Sequence, residues 1–432
     1  MAEANSGSLL AGVVRPVVSN MISARGLHVA LLLVGLAGWL IFILACVGGP
    51  AWSPDGSQIL FGYRDVENSR TSVALYDRGK DTIRTIFSQP FEKEDELILH
   101  PRWARDGKRA LVGMFGSTPD GSDNSCLLVS IPIKSKLPLQ VYNLGKTVGC
   151  VYAFPQIGDT VYFAGEDLRW VELKSGKFDS QKFKVDGKDS PDEEVVLSEA
   201  SDQLYYQRKV RRPISGPDPQ QKDKDKDEDG EEVGVIQLQD TSFKPSFTYW
   251  DSDLTALGIG SNASDTSPIA PAPNRTSGAM IAKDGKDSDR ILLTEEGKGI
   301  VRVVAPDLGG KSYSLGNLVW SADGKMLYAS ALTAGEAKGV SDYWLTEIPL
   351  EGGRARLTKI ASVQHEMAGD FLDTFRFSMN VALSPDGRWI AATPAVLGEK
   401  LLEQRDRALF LIDVRDPARR VKRVPIPREP AE

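Results

Sequence analysis

The hydrophobic and polar positions divide the chain into two unequal parts. From Val29 to Val47 every residue is apolar or small, without a charge or a polar face, and the run is long enough to cross one bilayer. After residue 50 the apolar residues come in short runs separated by Gly, Pro, Asp and Ser, which predicts many strands and tight turns. We therefore predict a tail at 1–27, a transmembrane or signal segment at 28–48, and an all-β domain at 50–430.

The charges around the apolar run indicate its orientation. Arg15 and Arg25 precede it and the first charged residue after it is Asp55, so the positive-inside tendency places 1–27 in the cytoplasm and exports the rest. The segment is either an uncleaved anchor or a cleaved signal. Its end, Ile43-Leu44-Ala45-Cys46, resembles the lipobox of bacterial lipoproteins, which implies lipidation of Cys46. The anchor and the lipoprotein both predict a protein of the cell envelope, with the all-β domain on the periplasmic or extracellular side.

A short sequence pattern recurs in the all-β part. Its clearest copy is WSPDGSQILF, which begins at Trp52, and it returns at Trp103, Trp320 and Leu383. Each copy has an apolar residue, an Asp-Gly pair and a second apolar run, which predicts a β-hairpin because Gly accepts the positive φ that such turns require. The turn pairs are Asp55-Gly56, Asp106-Gly107, Asp323-Gly324 and Asp386-Gly387.

Weaker copies of the pattern keep the apolar positions and lose most of the turn. They begin at Phe154, Leu197 and Ala272, and the last is the poorest match. The strong copies are followed by a second hairpin-like stretch, such as 343–358, and two hairpins make the four strands of one propeller blade. Seven copies predict a β-propeller of seven four-stranded blades, while the uneven spacing also allows six or eight.

The hairpin and its second strand pair resemble the TolB-type, WD40-like β-propeller repeat. The likeness covers roughly 50–427 and rests on the S-P-D-G turn and on Trp344 to Thr358, which reads as W-x-x-x-L-x-G-G-x-x-x-x-L-T with small departures. Propellers of this type occur in periplasmic Tol–Pal components, in envelope lipoproteins and as lids on peptidases. TolB itself carries a separate N-terminal α/β domain, for which there is no room between Cys46 and Trp52, so a Tol–Pal role is not implied.

The composition limits which partners and which kinds of site are expected. The chain has 52 basic and 59 acidic residues, a net charge of −7, which gives no reason to expect nucleic acid as a partner. We assign no catalytic, cofactor-binding or metal-binding residue, because hydrolase motifs are absent and three histidines are too few for a histidine-rich metal site. His100 and His365 each precede a copy of the pattern and are treated as ordinary surface histidines. Cys126 and Cys150 fall in neighbouring blades and are either a disulfide or two buried thiols.

Two charged stretches stand out. We predict that 211–234 is a disordered acidic insertion loop; Asp225, Asp227 and Asp229 begin like a calcium loop, but Ile236 stands where the final Glu is needed. The other stretch, 415–428, is basic, and we interpret it as the solvated face of an outer strand, with binding to anionic lipid as the alternative. Since a propeller often pairs strands from both chain ends, this tail is expected to close the ring near Trp52.

These observations predict a class of function. A propeller presents loops of varied sequence on a rigid ring, which suits recognition of macromolecules. We therefore expect a membrane-tethered, non-catalytic scaffold or sensor that binds a protein partner in the cell envelope. The alternative is an enzyme or small-ligand binder that uses the central funnel, and it predicts carboxylates and histidines converging at one mouth.

Overall fold

The computed structural model describes part of the chain, all of it within the second of two compact units, Met1–Ala45 and Cys46–Glu432. The described ranges are 49–65, 70–90, 98–117, 124–134, 138–145, 154–164, 167–185, 188–189, 195–200, 203–213, 227–260, 262, 266–274, 276–282, 288–307, 310, 312–337, 340–351, 354–364, 379–394 and 408–426. No helix within these ranges is long and apolar enough to span a bilayer. The predicted tail, the segment at 28–48 and Cys46 lie outside them.

The strands form seven sheets, each built around four consecutive antiparallel strands, and these are the seven blades of a β-propeller. The prediction of an all-β, seven-bladed fold is confirmed. Blade 1 contains β1 Ala51–Trp52, β2 Gln58–Asp65, β3 Arg70–Asp77 and β4 Thr82–Pro90. Blade 2 contains β5 Ile98–Trp103, β6 Arg109–Ser117, β7 Asn124–Pro132 and β8 Gln140–Gly145. Blade 3 contains β9 Gln156–Ile157, β10 Thr160–Ala164, β11 Asp167–Glu172 and β12 Phe178–Lys182.

Blade 4 is larger than the others, with six strands in the order β14-β13-β18-β17-β16-β15. It contains β13 Lys184–Val185, β14 Lys188–Asp189, β15 Val195–Ala200, β16 Gln203–Pro213, β17 Asp227–Gln237 and β18 Ser242–Trp250, and helix α1 Asp251–Ala256 follows it. Blade 5 contains β19 Ala270–Pro271, β20 Ser277–Ala282, β21 Arg290–Glu295 and β22 Gly299–Val304. Blade 6 contains β23 Tyr313–Trp320, β24 Met326–Ala334, β25 Val340–Pro349 and β26 Arg356–Gln364. Blade 7 contains β27 Met379–Leu383, β28 Trp389–Pro394, β29 Ala408–Asp413 and β30 Val421–Pro425.

The recurring pattern forms the turn between the first two strands of a blade. In blade 1 the Ser53 hydroxyl donates to Asp55 Oδ1 at 2.6 Å and accepts from the Gln58 amide at 2.9 Å. Gly56 takes a φ of 68°, which a side chain would strain. Asp55 also accepts from the Ser57 amide, and these hydrogen bonds lower its pKa to about 2. The weaker copies form the corresponding hairpins of blades 3, 4 and 5, as β9–β10, β15–β16 and β19–β20, and only the last has a turn as long as that of blade 1.

Apolar side chains fill the seams between blades rather than one central core. The second strand of blade 1 shows why: Ile59, Leu60 and Phe61 are all fully buried, because the two faces of the sheet pack against different neighbours. Ile59 and Phe61 join a cluster with blade 7, whereas Leu60 joins one with blade 2. Continuous apolar runs in the sequence therefore mark strands that are covered on both faces.

The tryptophans of the pattern connect blades to one another. Each indole N–H donates to the backbone carbonyl at the equivalent position of the preceding blade. The three bonds are Trp52 Nε1 to the oxygen of Ala382 at 3.0 Å, Trp103 Nε1 to that of Ala51 at 3.1 Å, and Trp320 Nε1 to that of Ala270 at 2.9 Å. In blades 1, 2 and 6 the residue that ends the first strand thus has an apolar ring in the seam and a polar atom that sets the spacing of the blades.

The ring closes through side chains, and the expectation that strands from both chain ends share a blade is wrong for the described residues. The last strand, β30, pairs with β29 inside blade 7, and the first, β1, pairs with β2 inside blade 1. Closure relies on the apolar seam between blades 7 and 1, on the Trp52 bond, and on Lys422 Nζ, which lies 2.6 Å from Asp81 Oδ1 of blade 1. The basic stretch at the C-terminus therefore contributes to ring closure.

The prediction of a loop at 211–234 is wrong for 211–213 and 227–234, which belong to β16 and β17. The alternating charges form cross-strand pairs, and opposite charges on neighbouring strands stabilise a sheet. Arg211 Nε lies 2.9 Å from Asp229 Oδ1, and Arg212 Nη2 lies 2.7 Å from Glu228 Oε2. Because Asp227 and Asp229 lie in a paired strand, they do not form a calcium loop, and residues 214–226 lie outside the described ranges.

Candidate functional site

The two ends of the ring differ, and the difference follows from the connectivity. In an antiparallel blade, the turns between strands one and two and between strands three and four lie at the same end. The turns are tied together there: the amide of Arg78, after β3, donates to the Ser57 carbonyl at 3.0 Å. Neighbouring blades also meet there, since a Cβ on Gly107 would lie 3.5 Å from Pro54 Cδ. We call this end the turn face.

The opposite end, which we call the connection face, is where strands two and three are joined and where each blade leads to the next. The segments that start and end there include 91–97, 146–155, 214–226, 251–269, 365–378 and 395–407. Along all segments of this end, Asp and Glu outnumber Lys and Arg roughly two to one, whereas Lys and Arg outnumber Asp and Glu in the turns of the other end. The longest connections, and most of the acidic residues in connections, therefore belong to segments that start and end at one face.

One long connection of this face, 251–269, is largely described. It begins with α1, whose Asp253 carboxylate accepts from the Trp250 amide at 2.9 Å in the manner of an N-terminal cap. Leu254, Ile259 and Ile269 are buried in the seam between blades 4 and 5, while Leu257 is 43% exposed. Apolar contacts with the seam thus hold the segment in place, while other side chains of the segment, such as Leu257, are exposed to solvent.

Beneath this segment lies a buried polar cluster in the same seam. Its members are Glu231 of β17, Tyr249 of β18, Gln207 of β16 and Thr266 of the connection. The Tyr249 hydroxyl donates to Glu231 Oε2 at 2.6 Å, the Thr266 hydroxyl lies 3.2 Å from the same oxygen, and Gln207 Nε2 donates to it as well. Burial raises the pKa of Glu231 to about 7, although the three donors oppose this shift by stabilising the carboxylate.

A second set of charges lies on the opposite side of the same strands. Arg208 Nε is 2.8 Å from Glu232 Oε1, and both side chains are largely buried. The Tyr206 hydroxyl donates to the same oxygen at 2.7 Å, and burial together with this carboxylate raises the pKa of Tyr206. Unlike Glu231, Glu232 has a guanidinium partner, so the two adjacent acids are in different electrostatic environments.

Side chains also pair with the first strands, which surround the centre of the ring. Asn317 of β23 donates to the Val381 carbonyl at 2.7 Å and accepts from the Val381 amide at 2.8 Å, so it substitutes for a neighbouring strand. The fully buried Asp289 accepts from the Leu315 amide at 2.7 Å. These hydrogen bonds join blades 5, 6 and 7 at the centre.

The residues singled out in the sequence are spread over the ring. The Asp-Gly pairs all lie on the turn face, His100 lies in β5 and Cys126 in β7, while Cys150 and His365 lie outside the described residues. The metal-dependent alternative predicts a cluster of His, Cys, Asp and Glu, and no such group of three occurs among the described residues. Of the basic C-terminal residues, Arg419 is paired with Glu347 of blade 6, with Nε 2.8 Å from Oε1.

Sequence reasoning missed the Glu231 cluster. Gln207, Glu231, Tyr249 and Thr266 come from three strands and a connection, and no spacing rule joins them. A usable signal was present, since the charged stretch passes directly into Val233, Val235 and Ile236, an apolar run that is typical of a buried strand. An acid at such a boundary is a candidate for burial.

No family model matches the chain, and no curated protein matches it. Among solved structures, the β-propeller domain of the Trilobed protease from Pyrococcus furiosus is 8% identical, with a TM-score of 0.45, and the match covers 87% of this chain and 93% of that chain. TolB from Acinetobacter baumannii is 12% identical, with a TM-score of 0.39, over 70% of this chain and 66% of that chain. A prolyl endopeptidase is 11% identical, with a TM-score of 0.45, over 80% of this chain and 46% of that chain. None of these similarities carries an inference about function.

Proposed function

We propose that this protein is a non-catalytic binding scaffold of the cell envelope, with a TolB-type propeller that recruits a protein partner through its connection face. The observation that carries the proposal is the difference between the two ends of the ring. Short hydrogen-bonded turns close one end, and the long segments of varied sequence all belong to the other. Binding residues are typically carried on such connections above a rigid frame.

The charge of the connection face indicates the kind of partner. Because acidic residues predominate in its segments, a basic protein surface would be attracted to it, and its association would slow as salt is added. Among the described residues of 251–269, the side chains of Ser252, Thr255 and Leu257 are exposed, while apolar contacts hold the segment in place. This arrangement supports a polar contact surface with a small apolar centre.

The apolar run at 28–48 supports attachment to the membrane. Its absence of charge and its position directly before β1 suit a tether for the propeller, either as an uncleaved helix or through a lipid on Cys46. Fractionation tests this part: the full chain should stay with membranes after an alkaline wash, and a chain that starts at residue 49 should be released. Recovery of both chains in the soluble fraction would contradict the tether.

Site-specific photocrosslinking in native membranes tests the binding face. A photoreactive amino acid replaces Leu257 on the connection face, and the matched control carries it at Lys174 on the turn face, where the side chain is 82% exposed. We expect one reproducible protein adduct from position 257, weakened by added salt, and no such adduct from position 174. Adducts from position 174 alone would assign binding to the wrong face, and no adduct from either position would contradict a protein-binding scaffold.

A further inference from the structure

The seam between blades 4 and 5 holds the one long connection that is largely described, and it does so through a buried acid. The Thr266 hydroxyl and the amide of Ile269 belong to this connection; the first bonds to Glu231, and the second donates to Gln207 Oε1 at 2.9 Å. We propose that this seam is a proton-sensitive latch, which holds 251–269 on blade 4 while Glu231 is neutral and loosens it when Glu231 is ionised.

Burial favours the neutral form of Glu231, and the groups around it supply no close positive charge to offset that burial. Its side chain is almost entirely enclosed, and its hydrogen-bond donors are a phenol, a hydroxyl and an amide, none of which carries a positive charge. From β18 it faces Tyr249, and from blade 5 the tyrosine hydroxyl is approached by the Met280 sulfur at 3.7 Å. Lys209, its partner in the β16–β17 register, has an exposed side chain and attracts the carboxylate only weakly. A buried carboxylate without a close cation is costly to ionise.

The connection is the part of the seam that can yield to this cost. Strands β16, β17 and β18 are held by ladder hydrogen bonds on both sides of Glu231, so the carboxylate cannot leave the sheet. On blade 4 the segment 251–269 is held by three apolar side chains, by the Ser252 amide, which donates to Glu228 Oε1 at 2.8 Å, and by the Thr266 and Ile269 bonds. On blade 5 its Ser267 amide donates to the Ile281 carbonyl at 2.8 Å, so the segment stays with blade 5 when it lifts from blade 4 and admits water to the carboxylate. Opening of a weakly held segment needs less free energy than unfolding of a blade.

The direction of the effect follows from linkage. The pKa of Glu231 is raised from its usual 4.5 to about 7 in the closed seam, so the closed form binds the proton more tightly than the open form. The contribution of Glu231 to the stability of the closed seam is therefore fully present below pH 4.5 and is lost as the pH rises through about 7. For these two values, the equilibrium constant for opening rises about tenfold between pH 6 and pH 8.

Native-state hydrogen–deuterium exchange on the full chain measures this opening. After correction for the intrinsic pH dependence of amide exchange, peptides from 251–269 should lose protection about tenfold between pH 6 and pH 8 in the wild type. Peptides from the blade 7–blade 1 seam, around Trp52 and Val424, should show no such loss. A flat wild-type profile for 251–269 would refute the latch without recourse to any variant.

Variants assign the effect to one carboxylate. Glu231→Gln should abolish the pH dependence, and the matched control Glu232→Gln, which changes the adjacent acid on the other side of the strand, should retain it. Tyr249→Phe removes a donor to the carboxylate and should move the midpoint of the pH-dependent loss of protection to higher pH. This variant keeps the test decisive if Glu231→Gln does not fold. A tenfold loss that persists in Glu231→Gln, or an unchanged midpoint in Tyr249→Phe, would overturn the proposal. The exchange experiment needs no partner, so its failure and that of the scaffold proposal are separable.

Discussion

The tryptophan bonds between blades lead to a prediction about stability. In Trp103→Phe the ring in the seam is kept and the indole N–H is lost, so the Ala51 carbonyl, 3.1 Å away, loses its donor. A hydrogen bond contributes about 1 kcal/mol net, and an unpaired buried carbonyl costs about 1–3 kcal/mol. Since Ala51 is only partly buried and the smaller ring leaves a small void, we expect the free energy of unfolding to fall by about 1–3 kcal/mol.

Urea unfolding followed by tryptophan fluorescence and by circular dichroism measures this loss. The unfolding midpoint should fall while the slope m stays unchanged, because the variant exposes the same surface when it unfolds. The matched control is Trp389→Phe, whose ring lies against Arg78, 5.5 Å from the guanidinium carbon, and whose indole N–H has no protein acceptor among the described residues. If the two variants lose the same stability, the inter-blade hydrogen bond contributes nothing and the reasoning is refuted.

Three further changes test other contacts. Gly234→Ala should destabilise the protein by about 3 kcal/mol or more, because the added Cβ would lie 2.2 Å from the Lys244 carbonyl oxygen. Its control, Gly158→Ala, has open space around it and should cost only about 1 kcal/mol through its positive φ. Equal shifts of the melting temperature in the two variants would contradict this prediction. Asp55→Asn should reduce the fall in melting temperature at acid pH, since the Asp55 pKa of about 2 gives stability above pH 3.8 that is lost as the pH falls through about 2. Exposure of the side chain limits the effect to under about 1 kcal/mol. An unchanged fall at acid pH would refute this prediction. Lys422→Met should increase amide exchange in the blade 7–blade 1 seam, because it breaks the 2.6 Å pair with Asp81. Unchanged exchange there would show that the ring closes without this pair.

Strained turns recur where neighbouring blades meet. Asp81, Thr241 and Arg419 are the described non-glycine residues with positive φ, and each lies in the turn between the third and fourth strands. Each also contacts the preceding blade in the ring, through Lys422, Lys182 and Glu347 respectively. A left-handed residue costs free energy, so its repeated use at this position indicates that the inter-blade contact offsets the strain.

The architecture could be predicted from the sequence because its signals are local. The turn of Ser53, Asp55 and Gly56 needs only residues a few positions apart, and the apolar residues beside it report burial on both faces of a strand. Repetition of that pattern implied blades, and the number of copies implied seven. Even the poorest copy, at Ala272, marked a real turn. Asn274 accepts hydrogen bonds from the backbone amides of Thr276 and Ser277, just as the aspartates of the stronger copies accept them from amides of their own turns.

The pairing of charges could not be predicted in this way. The stretch after Asp227 has the composition of a solvated loop, yet its acids face Arg208, Arg211 and Arg212 across a strand pair. Composition reports how many charges a segment carries, whereas register decides which of them meet. The same limit applies to Arg419 and Lys422, whose partners lie in blades 6 and 1.

The sequence by itself determined the repeat, the turns and the charge carried by each connection, since these depend on neighbouring residues. It predicted seven blades while allowing six or eight, and the structure decided the number. Only the tertiary structure decided how the ring closes and which acid is buried without a cation. Glu231 and Glu232 are adjacent and chemically identical, but alternation along the strand points one into the seam between blades 4 and 5 and the other towards Arg208. Their electrostatic environments differ because burial and pairing are properties of the assembled seam, to which residues distant in the chain contribute.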